Sequence, residues 1–447
     1  MNPSATRPAI AYSFSFGICF SLLIQESKAQ CLVDGTAYKC CDDGLGCLSG
    51  DASCTSRPCD CCVRRTRLTG DWRGVRPCLE DHGIEFDGAV TQFYQGVAGG
   101  GRERRFVYGG HGDYDMSIDF GKLCRFDGLS LELGAEHRFG ETANRDTGSV
   151  IPVALLLNLP DPETESLALT KVVLTHELSE HVEVFLGKLD TLEYDTNAFA
   201  DGNGRDRFFS TAFNYNPIAT RTVPFSTLGA GFNVVNDDER LFTFLVINTE
   251  DTGTTVGLNE LFANGVALAA ELRVPIEAFG RRGHQMIGGS WSSREYVSLR
   301  QEGRVDFPDI PIATKEGSWA LYWNADHYLW QDPCDSSRGW GVFGRAGISD
   351  GNPNPIEWFL SFGVGGHSLL AGRPDDTFGI GWYYTGISDE FGPTVSNVLG
   401  DGQGVELYYD IAITEWVHVT PDIQFVDPNR VAVDTAIVAG LRARVDF

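Results

Sequence analysis

The chain has 447 residues, with 61 Asp+Glu against 35 Lys+Arg and a formal net charge of −26. Such an acidic chain repels phosphate backbones, so we expect no nucleic-acid partner. The 52 glycines and the 11% aromatic content favour β structure, because glycine destabilises helices. Outside the N-terminus no apolar run reaches about 18 residues, so no transmembrane helix is expected, although alternating strands of a membrane barrel would escape that search.

Residues 1–29 are predicted to be an export signal. Arg7 supplies the positive start, and the apolar segment 14–24 is too short to cross a bilayer as a helix. Residues 27–29 (Ser-Lys-Ala) offer a small-x-small cleavage site. We therefore expect the mature chain to begin near Gln30, outside the cytoplasm.

Residues 30–67 are predicted to be a cysteine-rich extension and linker stapled by disulfides. Eight of the 12 cysteines fall in a short acidic stretch that cannot rest on a hydrophobic core, and an oxidising compartment favours disulfides there. A metal cluster is the alternative, but only Cys59 and Cys62 have CxxC spacing, and the stretch contains no histidine. The sequence does not choose among the pairings of the eight candidates, which are Cys31, Cys40, Cys41, Cys47, Cys54, Cys59, Cys61 and Cys62.

The remainder of the chain, residues 68–447, is predicted to consist of strands. The last segment places Ile437, Leu441 and Phe447 on an apolar face, and it places Arg442 and Arg444 on the opposite face. Tilted in a bilayer, this segment rises roughly 24 Å, about the height of the lipid-facing band of a membrane barrel. The alternation therefore indicates a strand that separates lipid from water.

Two further segments, residues 129–139 and 319–329, alternate in the same way. Glu132, Glu136 and Arg138 lie on the polar face of the first segment, and aromatic residues mark the apolar faces near their ends. A soluble β-sandwich also alternates, but its strands are typically nearer five residues than ten. We therefore predict an all-β fold, a transmembrane antiparallel barrel with a wet interior.

No motif in the chain predicts catalysis or a metal site. His176 and His181 are five positions apart, whereas a zinc-binding helix needs histidines four apart, so we interpret this segment as a polar turn. Glu132 and Glu136 would lie about 13 Å apart on a strand, too far for the carboxylate pair of a glycosidase. We predict no enzyme activity, no cofactor and no metal.

Six short motifs follow one another along the chain. They are residues 70–76 (GDWRGVR), 187–190 (GKLD), 343–351 (FGRAGISDG), 372–382 (GRPDDTFGIGW), 406–410 (ELYYD) and 420–426 (TPDIQFV). Together with the closing strand they resemble the carbohydrate-selective porin (OprB) family over roughly residues 68–447. The chain departs from the family pattern at Arg73, where a second glycine is usual, and in its cysteine-rich extension.

The resemblance implies a sixteen-stranded outer-membrane barrel, in contact with outer-membrane lipid, for the passive diffusion of small neutral sugars such as glucose. Constrictions in this family use Arg and Glu side chains with nearby aromatic residues. Alternation directs Glu132, Glu136 and Arg138 toward the lumen as candidates for such a constriction. Arg345 and Arg442 are further candidates.

The sequence leaves the assembly state and the function of the chain open. The barrel is compatible with a homo-oligomer. The barrel is also compatible with a mainly structural role in which the cysteine-rich extension is the functional part. The alternative from another class is a secreted, β-rich protein that binds or cleaves carbohydrate.

The cysteine-rich extension gives a testable prediction. If the N-terminus of the barrel is periplasmic, the extension lies beneath the pore, where it either tethers the barrel to the cell wall or a periplasmic partner, or partly covers the inner mouth. Deleting residues 31–62 and measuring single-channel conductance separates the two roles. A cover predicts higher conductance, whereas an unchanged channel rules out the cover and leaves tethering.

Overall fold

The computed structural model describes residues 65–160, 166–237, 239–301, 303, 309–333 and 335–447. The predicted signal peptide and the cysteines between residues 31 and 62 lie outside these ranges, so both remain predictions. Within these ranges, no helix is both long and apolar enough to cross a bilayer.

Sixteen antiparallel strands form the fold. They are β1 (Ile84–Gly99), β2 (Phe106–Asp119), β3 (Leu129–Gly140), β4 (Ala168–Ser179), β5 (Val182–Asp190), β6 (Ser226–Asn236), β7 (Glu239–Asn248), β8 (Val266–Ala278), β9 (Arg281–Val297), β10 (Thr314–Asp332), β11 (Asp335–Ser349), β12 (Ile356–His367), β13 (Thr377–Ile387), β14 (Gly402–Thr414), β15 (Val417–Asp427) and β16 (Ala436–Asp446). Each strand pairs with its neighbours in the chain, and β1 pairs with β16, so the sheet closes into a barrel. Closure leaves no free strand edge, which is what a sheet in lipid requires. The predicted barrel of sixteen strands is confirmed.

Helices are short in the described part of the chain. The α-helices are α1 (Val75–Asp81), α2 (Phe120–Cys124), α3 (Thr211–Asn214) and α4 (Pro393–Ser396). Single 3₁₀ turns are formed by Trp72–Gly74, Leu156–Asn158, Thr191–Tyr194, Pro217–Arg221, Leu258–Glu260 and Asp389–Phe391. They all lie in connections or before β1, so the strands alone form the wall.

The two ends of the barrel differ in the length of their connections. At one end, strands are joined by turns such as residues 180–181 and 279–280. At the other end the connections are long, and the longest are residues 141–167 between β3 and β4 and residues 191–225 between β5 and β6. The predicted polar turn holds only for Glu180 and His181, because His176 lies on β4, which runs to Ser179.

The segment before β1 covers the end of β16. Leu68 donates a backbone hydrogen bond of 2.8 Å to Asp446, and Arg76 Nη2 donates one of 3.0 Å to the carbonyl oxygen of Phe447. Arg73, where the resemblance leads one to expect glycine, has a φ of 61°, in the left-handed region that glycine favours. The departure from the family pattern therefore falls at a turn that tolerates a side chain only with some backbone strain.

Alternation separates a lipid face from a lumen face, as predicted. On β10, Trp319, Leu321 and Leu329 are exposed, whereas Tyr322 and Asp326 are buried on the inner side. Exposed aromatic residues mark both rims, namely Tyr94, Phe106, Trp291, Trp319 and Trp358 at the long-loop end, and Phe232 and Trp330 at the short-turn end. An apolar outer surface with aromatic rims is the arrangement of a barrel in lipid.

Residues 191–225, called the inserted loop below, fold into the lumen. Phe199, Phe208 and Phe213 of this loop are at most 1% exposed, and they belong to one apolar cluster with inward-facing Phe343 and Tyr408. The ring centroids of Phe208 and Phe343 are 5.3 Å apart in an edge-to-face arrangement. Edge-to-face aromatic contacts are favourable beyond the area they bury, so the loop is held against the wall along one side of the barrel.

Glycines in the wall leave room for these rings. A β-carbon at Gly341 would lie 2.6 Å from the Phe199 ring, and a β-carbon at Gly381 would lie 2.5 Å from the Phe213 ring. Since both distances are well inside van der Waals contact, any side chain at these positions would displace a buried phenylalanine. Part of the high glycine content therefore serves the docking of the inserted loop.

Candidate functional site

Arg345 on β11 fastens the inserted loop to the wall. Its side chain is fully buried, and its guanidinium donates hydrogen bonds of 2.6 Å to the carbonyl oxygen of Ala200 and 3.0 Å to that of Phe213. Its Nε also lies 3.3 Å from Asp195 Oδ1. The planar guanidinium has several donors in fixed directions, so one side chain fixes three points of the loop. This constriction candidate therefore contacts the loop, and no part of it is exposed to the channel.

Arg442 on β16 holds the tip of the inserted loop in the same way. It is fully buried, and its Nη1 donates hydrogen bonds of 2.8 Å to the carbonyl oxygen of Gly204 and 2.9 Å to that of Arg207. Its guanidinium carbon lies 4.4 Å from the ring centroid of Phe209, a cation–π contact. Like Arg345, this candidate acts on the loop and is closed off from the open lumen.

Glu406 on β14 provides a third anchor. The carboxylate is 1% exposed and accepts hydrogen bonds from the backbone N–H groups of Phe209, at 2.5 Å, and Ser210, at 3.0 Å. A buried carboxylate needs such partners, and the loop supplies them from its backbone. The anchors on β11, β14 and β16 therefore fix both the position of the loop and its direction.

The tip of the inserted loop carries three charged side chains in succession, residues 205–207 (Arg-Asp-Arg), and all three are partly exposed. Arg205 Nη2 lies 2.6 Å from Asp113 Oδ1 on β2, and Arg444 Nη1 on β16 lies 3.9 Å from Asp206 Oδ2. Burial acts to lower the pKa of Arg205, but the carboxylates of Asp113 and Glu136 outweigh it and raise that pKa above its ordinary value. Arg205 therefore stays charged and remains in an ion pair with Asp113.

A second set of charges surrounds Lys171 on β4. Its Nζ lies 2.7 Å from Glu193 Oε1 at the start of the inserted loop. The same atom lies 3.3 Å from Asp115 Oδ1 on β2 and 3.6 Å from Glu132 Oε2 on β3. The side chains of Asp115, Glu132 and Glu193 are 40%, 47% and 40% exposed, so water reaches them in the lumen. Glu132, a predicted candidate, is part of this cluster.

The other two candidates on β3 also point inward but are buried. Glu136 is 7% exposed, and its Oε2 lies 3.5 Å from His111 Nε2. Arg138 is 8% exposed and donates a hydrogen bond of 2.6 Å to the carbonyl oxygen of Leu157 in the β3–β4 connection. The structure therefore places Glu132 in the wet lumen and Glu136 behind it, and a solute contact for either one stays a prediction.

An aromatic ring adjoins these charges. Tyr194 follows Glu193 directly, and the guanidinium carbon of Arg240 lies 5.1 Å from its ring centroid. Trp291, Trp319 and Trp358 lie on the lipid face instead. Tyr194 is thus an aromatic ring next to the charged cluster, in contact with Arg240 and Phe185.

Sequence reasoning missed Lys171, Glu193 and the loop tip. Lys171 is one cation in a mostly apolar strand, and nothing local distinguishes it from an ordinary wall charge. The tip does carry a signal, because residues 202–207 (Gly-Asn-Gly-Arg-Asp-Arg) form a charged turn directly before Phe208 and Phe209. That signal gains meaning only when the aromatic pair is known to dock inside a barrel.

A closed barrel with an apolar outer band, and with a loop folded into a charged lumen, defines an outer-membrane porin of bacteria. The model of the "Carbohydrate-selective porin, OprB family" matches residues 103–447, well over half of the chain. The chain therefore belongs to the carbohydrate-selective porin, OprB family. This membership and the lipid-facing surface favour the porin over the alternative of a secreted carbohydrate-binding or carbohydrate-cleaving protein.

Individual relatives agree with this assignment. Porin B of Pseudomonas aeruginosa is 26% identical over 153 residues, which span 30% of this chain and 33%, about a third, of that protein. The high-pH structure of Pseudomonas putida OprB has a TM-score of 0.74 at 17% identity, and the low-pH structure has a TM-score of 0.54 at 16% identity. Each comparison covers 86% of this chain and 99% of the other chain, and both show a shared fold.

The anchoring role of Arg345 gives a testable prediction. In Arg345→Met, two loop carbonyl groups and Asp195 lose a buried cationic donor, and breaking a buried ion pair typically costs about 3–5 kcal/mol. We expect the inserted loop to leave the wall, so that single-channel conductance in planar bilayers rises and becomes noisier.

The matched control is Arg300→Met, which removes an exposed guanidinium paired with Glu390 in the outer connections. This control should conduct like the unaltered chain. Heat-modifiable migration on gels reports whether each barrel has folded. A folded Arg345→Met channel with unchanged conductance and noise would show that Arg345 does not position the loop.

Proposed function

We propose that the chain conducts small neutral sugars, with monosaccharides such as glucose as preferred solutes, by passive diffusion down their concentration gradient. Membership of a carbohydrate-selective porin family and the fold support a channel without catalysis. The observation that carries the proposal of sugar preference is the composition of the constriction. It combines donors and acceptors of both charge signs within a few ångströms of one another.

The constriction charges come from the loop tip and from the cluster around Lys171. They lie side by side, because Arg205 contacts Asp113 and the cluster member Asp115 is two residues further along the same strand. The set comprises the cations Arg205, Arg207 and Lys171 and the carboxylates Asp115, Glu132, Glu193 and Asp206.

Cations of this set lie close to carboxylates, with Lys171 beside Glu193 and Arg205 beside Asp113, even though the chain as a whole is strongly acidic. Charges that already pair with one another give less attraction to a passing ion than unpaired charges of one sign would give. They still offer hydrogen bonds to the hydroxyl groups of a sugar, which both donate and accept. Arginine and carboxylate groups at one site can engage adjacent hydroxyl groups.

Weak contacts suit diffusion better than tight ones. Conduction requires a solute to enter and to leave, so a constriction that bound a sugar strongly would slow its release. Because the constriction charges already pair with one another, a sugar must compete with those pairs. The net binding free energy of each sugar contact is therefore small, which favours diffusion through the pore over tight binding.

Flux through liposomes of known composition tests the proposal. The full chain is reconstituted, and influx of glucose is compared with influx of glucosamine and gluconate, which have similar size and opposite charges. We expect glucose to enter faster than either charged analogue. Lys171→Gln removes a positive charge from the constriction. The ratio of glucosamine influx to glucose influx should therefore rise by about 2- to 10-fold, the equivalent of about 0.5–1.5 kcal/mol for one net interaction.

The control for this experiment is Arg300→Gln, a change of the same kind far from the constriction. It should keep the solute order of the unaltered chain. Equal influx of all three solutes in the unaltered chain would contradict sugar preference but leave a porin. No influx of any solute, from barrels that show heat-modifiable migration, would contradict the channel itself.

A further inference from the structure

Three potential metal ligands converge beside the constriction on the inner face of β2 and β3. Each of His111, Asp113 and Glu136 offers one ligand atom, and these atoms lie within 4.8 Å of one another. The three residues are 1%, 2% and 7% exposed. Among the described residues, one group of three or more His, Cys, Asp or Glu side chains has its ligand atoms this close together, and it is this group.

The strand register brings these side chains together. His111 and Asp113 are two residues apart on β2, so their side chains leave the same face of the strand. Asp113 is the direct cross-strand partner of Glu136 on β3. Side chains of directly opposed residues start about 4.5–5.5 Å apart, so three ligands are preset by the sheet itself, on a rigid element.

His111 lacks the hydrogen bonds that a buried imidazole normally makes. Its Nδ1 lies 3.2 Å from Asp113 Oδ2 and its Nε2 lies 3.5 Å from Glu136 Oε2. Neither contact is aligned as a hydrogen bond, and both ring nitrogens and Asp113 Oδ2 are without a hydrogen-bond partner among the described residues. A buried histidine and a buried carboxylate oxygen therefore point at one another with their hydrogen-bonding capacity unused.

A second histidine in the same lumen shows the ordinary arrangement. His284 on β9 lies 2.8 Å from Asp326 Oδ1 through Nδ1 and 2.7 Å from Glu239 Oε1 through Nε2. The Nδ1 contact is an aligned hydrogen bond, so an imidazole between two carboxylates in this barrel can satisfy a ring nitrogen. The looser spacing at His111 is thus a property of that site and not of the lumen in general.

We propose that His111, Asp113 and Glu136 bind a divalent transition-metal ion, with zinc as the best-fitting candidate. One imidazole nitrogen and two carboxylates form a mixed ligand set that suits zinc, and three protein ligands leave a fourth position for water. One ion binds only one of the two ring nitrogens of His111, and the three ligand atoms, one from each residue, lie within 4.8 Å of one another. Ligand atoms around tetrahedral zinc are about 3.3 Å apart, so the side chains must draw together by up to about 1.5 Å when the ion binds. The proposal is independent of which solute the channel conducts.

The surroundings of the three ligands fit this role. Arg205 binds the other oxygen of Asp113, at 2.6 Å, which is the kind of outer contact that orients a ligating carboxylate. A bound ion would supply the positive charge that two buried carboxylates need beyond that one guanidinium. Because Arg205 belongs to the loop tip, an ion held at Asp113 would also secure the inserted loop against β2.

Zinc titration of the full chain in detergent tests the proposal. Calorimetry is run on the unaltered chain and on His111→Gln, Glu136→Gln and the matched control His284→Gln. We expect the first two variants to lose one equivalent of bound zinc, with affinity reduced by at least about 100-fold, the upper range seen for loss of outer contacts alone. His284→Gln should keep that equivalent.

Any reduced cysteine elsewhere in the chain would also bind zinc, so the readout is the difference between chains that carry the same cysteines. Cobalt used as a second probe separates the two cases, because thiolate ligands add an intense near-ultraviolet charge-transfer band that nitrogen and oxygen ligands lack. Heat-modifiable migration reports folding of each variant. Equal zinc binding by the unaltered chain and both site variants, an equal loss in His284→Gln, or no binding by the unaltered chain would each overturn the proposal.

Discussion

The geometry of this channel depends on buried polar groups of the wall that bind the backbone of the inserted loop. Arg345 and Arg442 donate to loop carbonyl groups, and Glu406 accepts from loop N–H groups. Apolar packing alone is not directional, so it would tolerate many placements of residues 191–225. Hydrogen bonds to named backbone atoms select one placement, and the cost of leaving any of these groups buried and unpaired makes the selection strong.

This constraint places the chemistry of the pore. With one side of the loop fixed to strands from β10 to β16, its tip reaches β2, and the wet lumen is left on the side of Lys171 and Glu132. The lumen beside the loop is therefore lined by a loop surface and a wall surface, each with charges of both signs. A barrel in which the loop stayed outside would present a wider passage.

The sequence predicted the wall well because a strand obeys a local rule. Alternation of period two was sufficient to direct Glu132, Glu136 and Arg138 inward and Trp319 and Leu321 outward, and the structure has them there. The inserted loop obeys no such rule. The same alternation cannot tell that Arg442 lies under a loop while Glu132 lies in water, because that difference arises from residues more than two hundred positions away in the chain.

The register that unites His111, Asp113 and Glu136 is likewise a property of pairing between strands, so sequence reasoning, which predicted no metal, had no signal for it.

Hydrogen–deuterium exchange of the full chain in detergent tests most directly whether the loop is docked inside the barrel. Amides of residues 208–214 should exchange nearly as slowly as those of β11, because these residues are buried and the N–H groups of Phe209 and Ser210 donate to Glu406 of the wall. The largely exposed connection 388–401 provides the fast reference within the same molecule. Exchange of residues 208–214 at the rate of that reference would contradict a loop held by Arg345, Arg442 and Glu406.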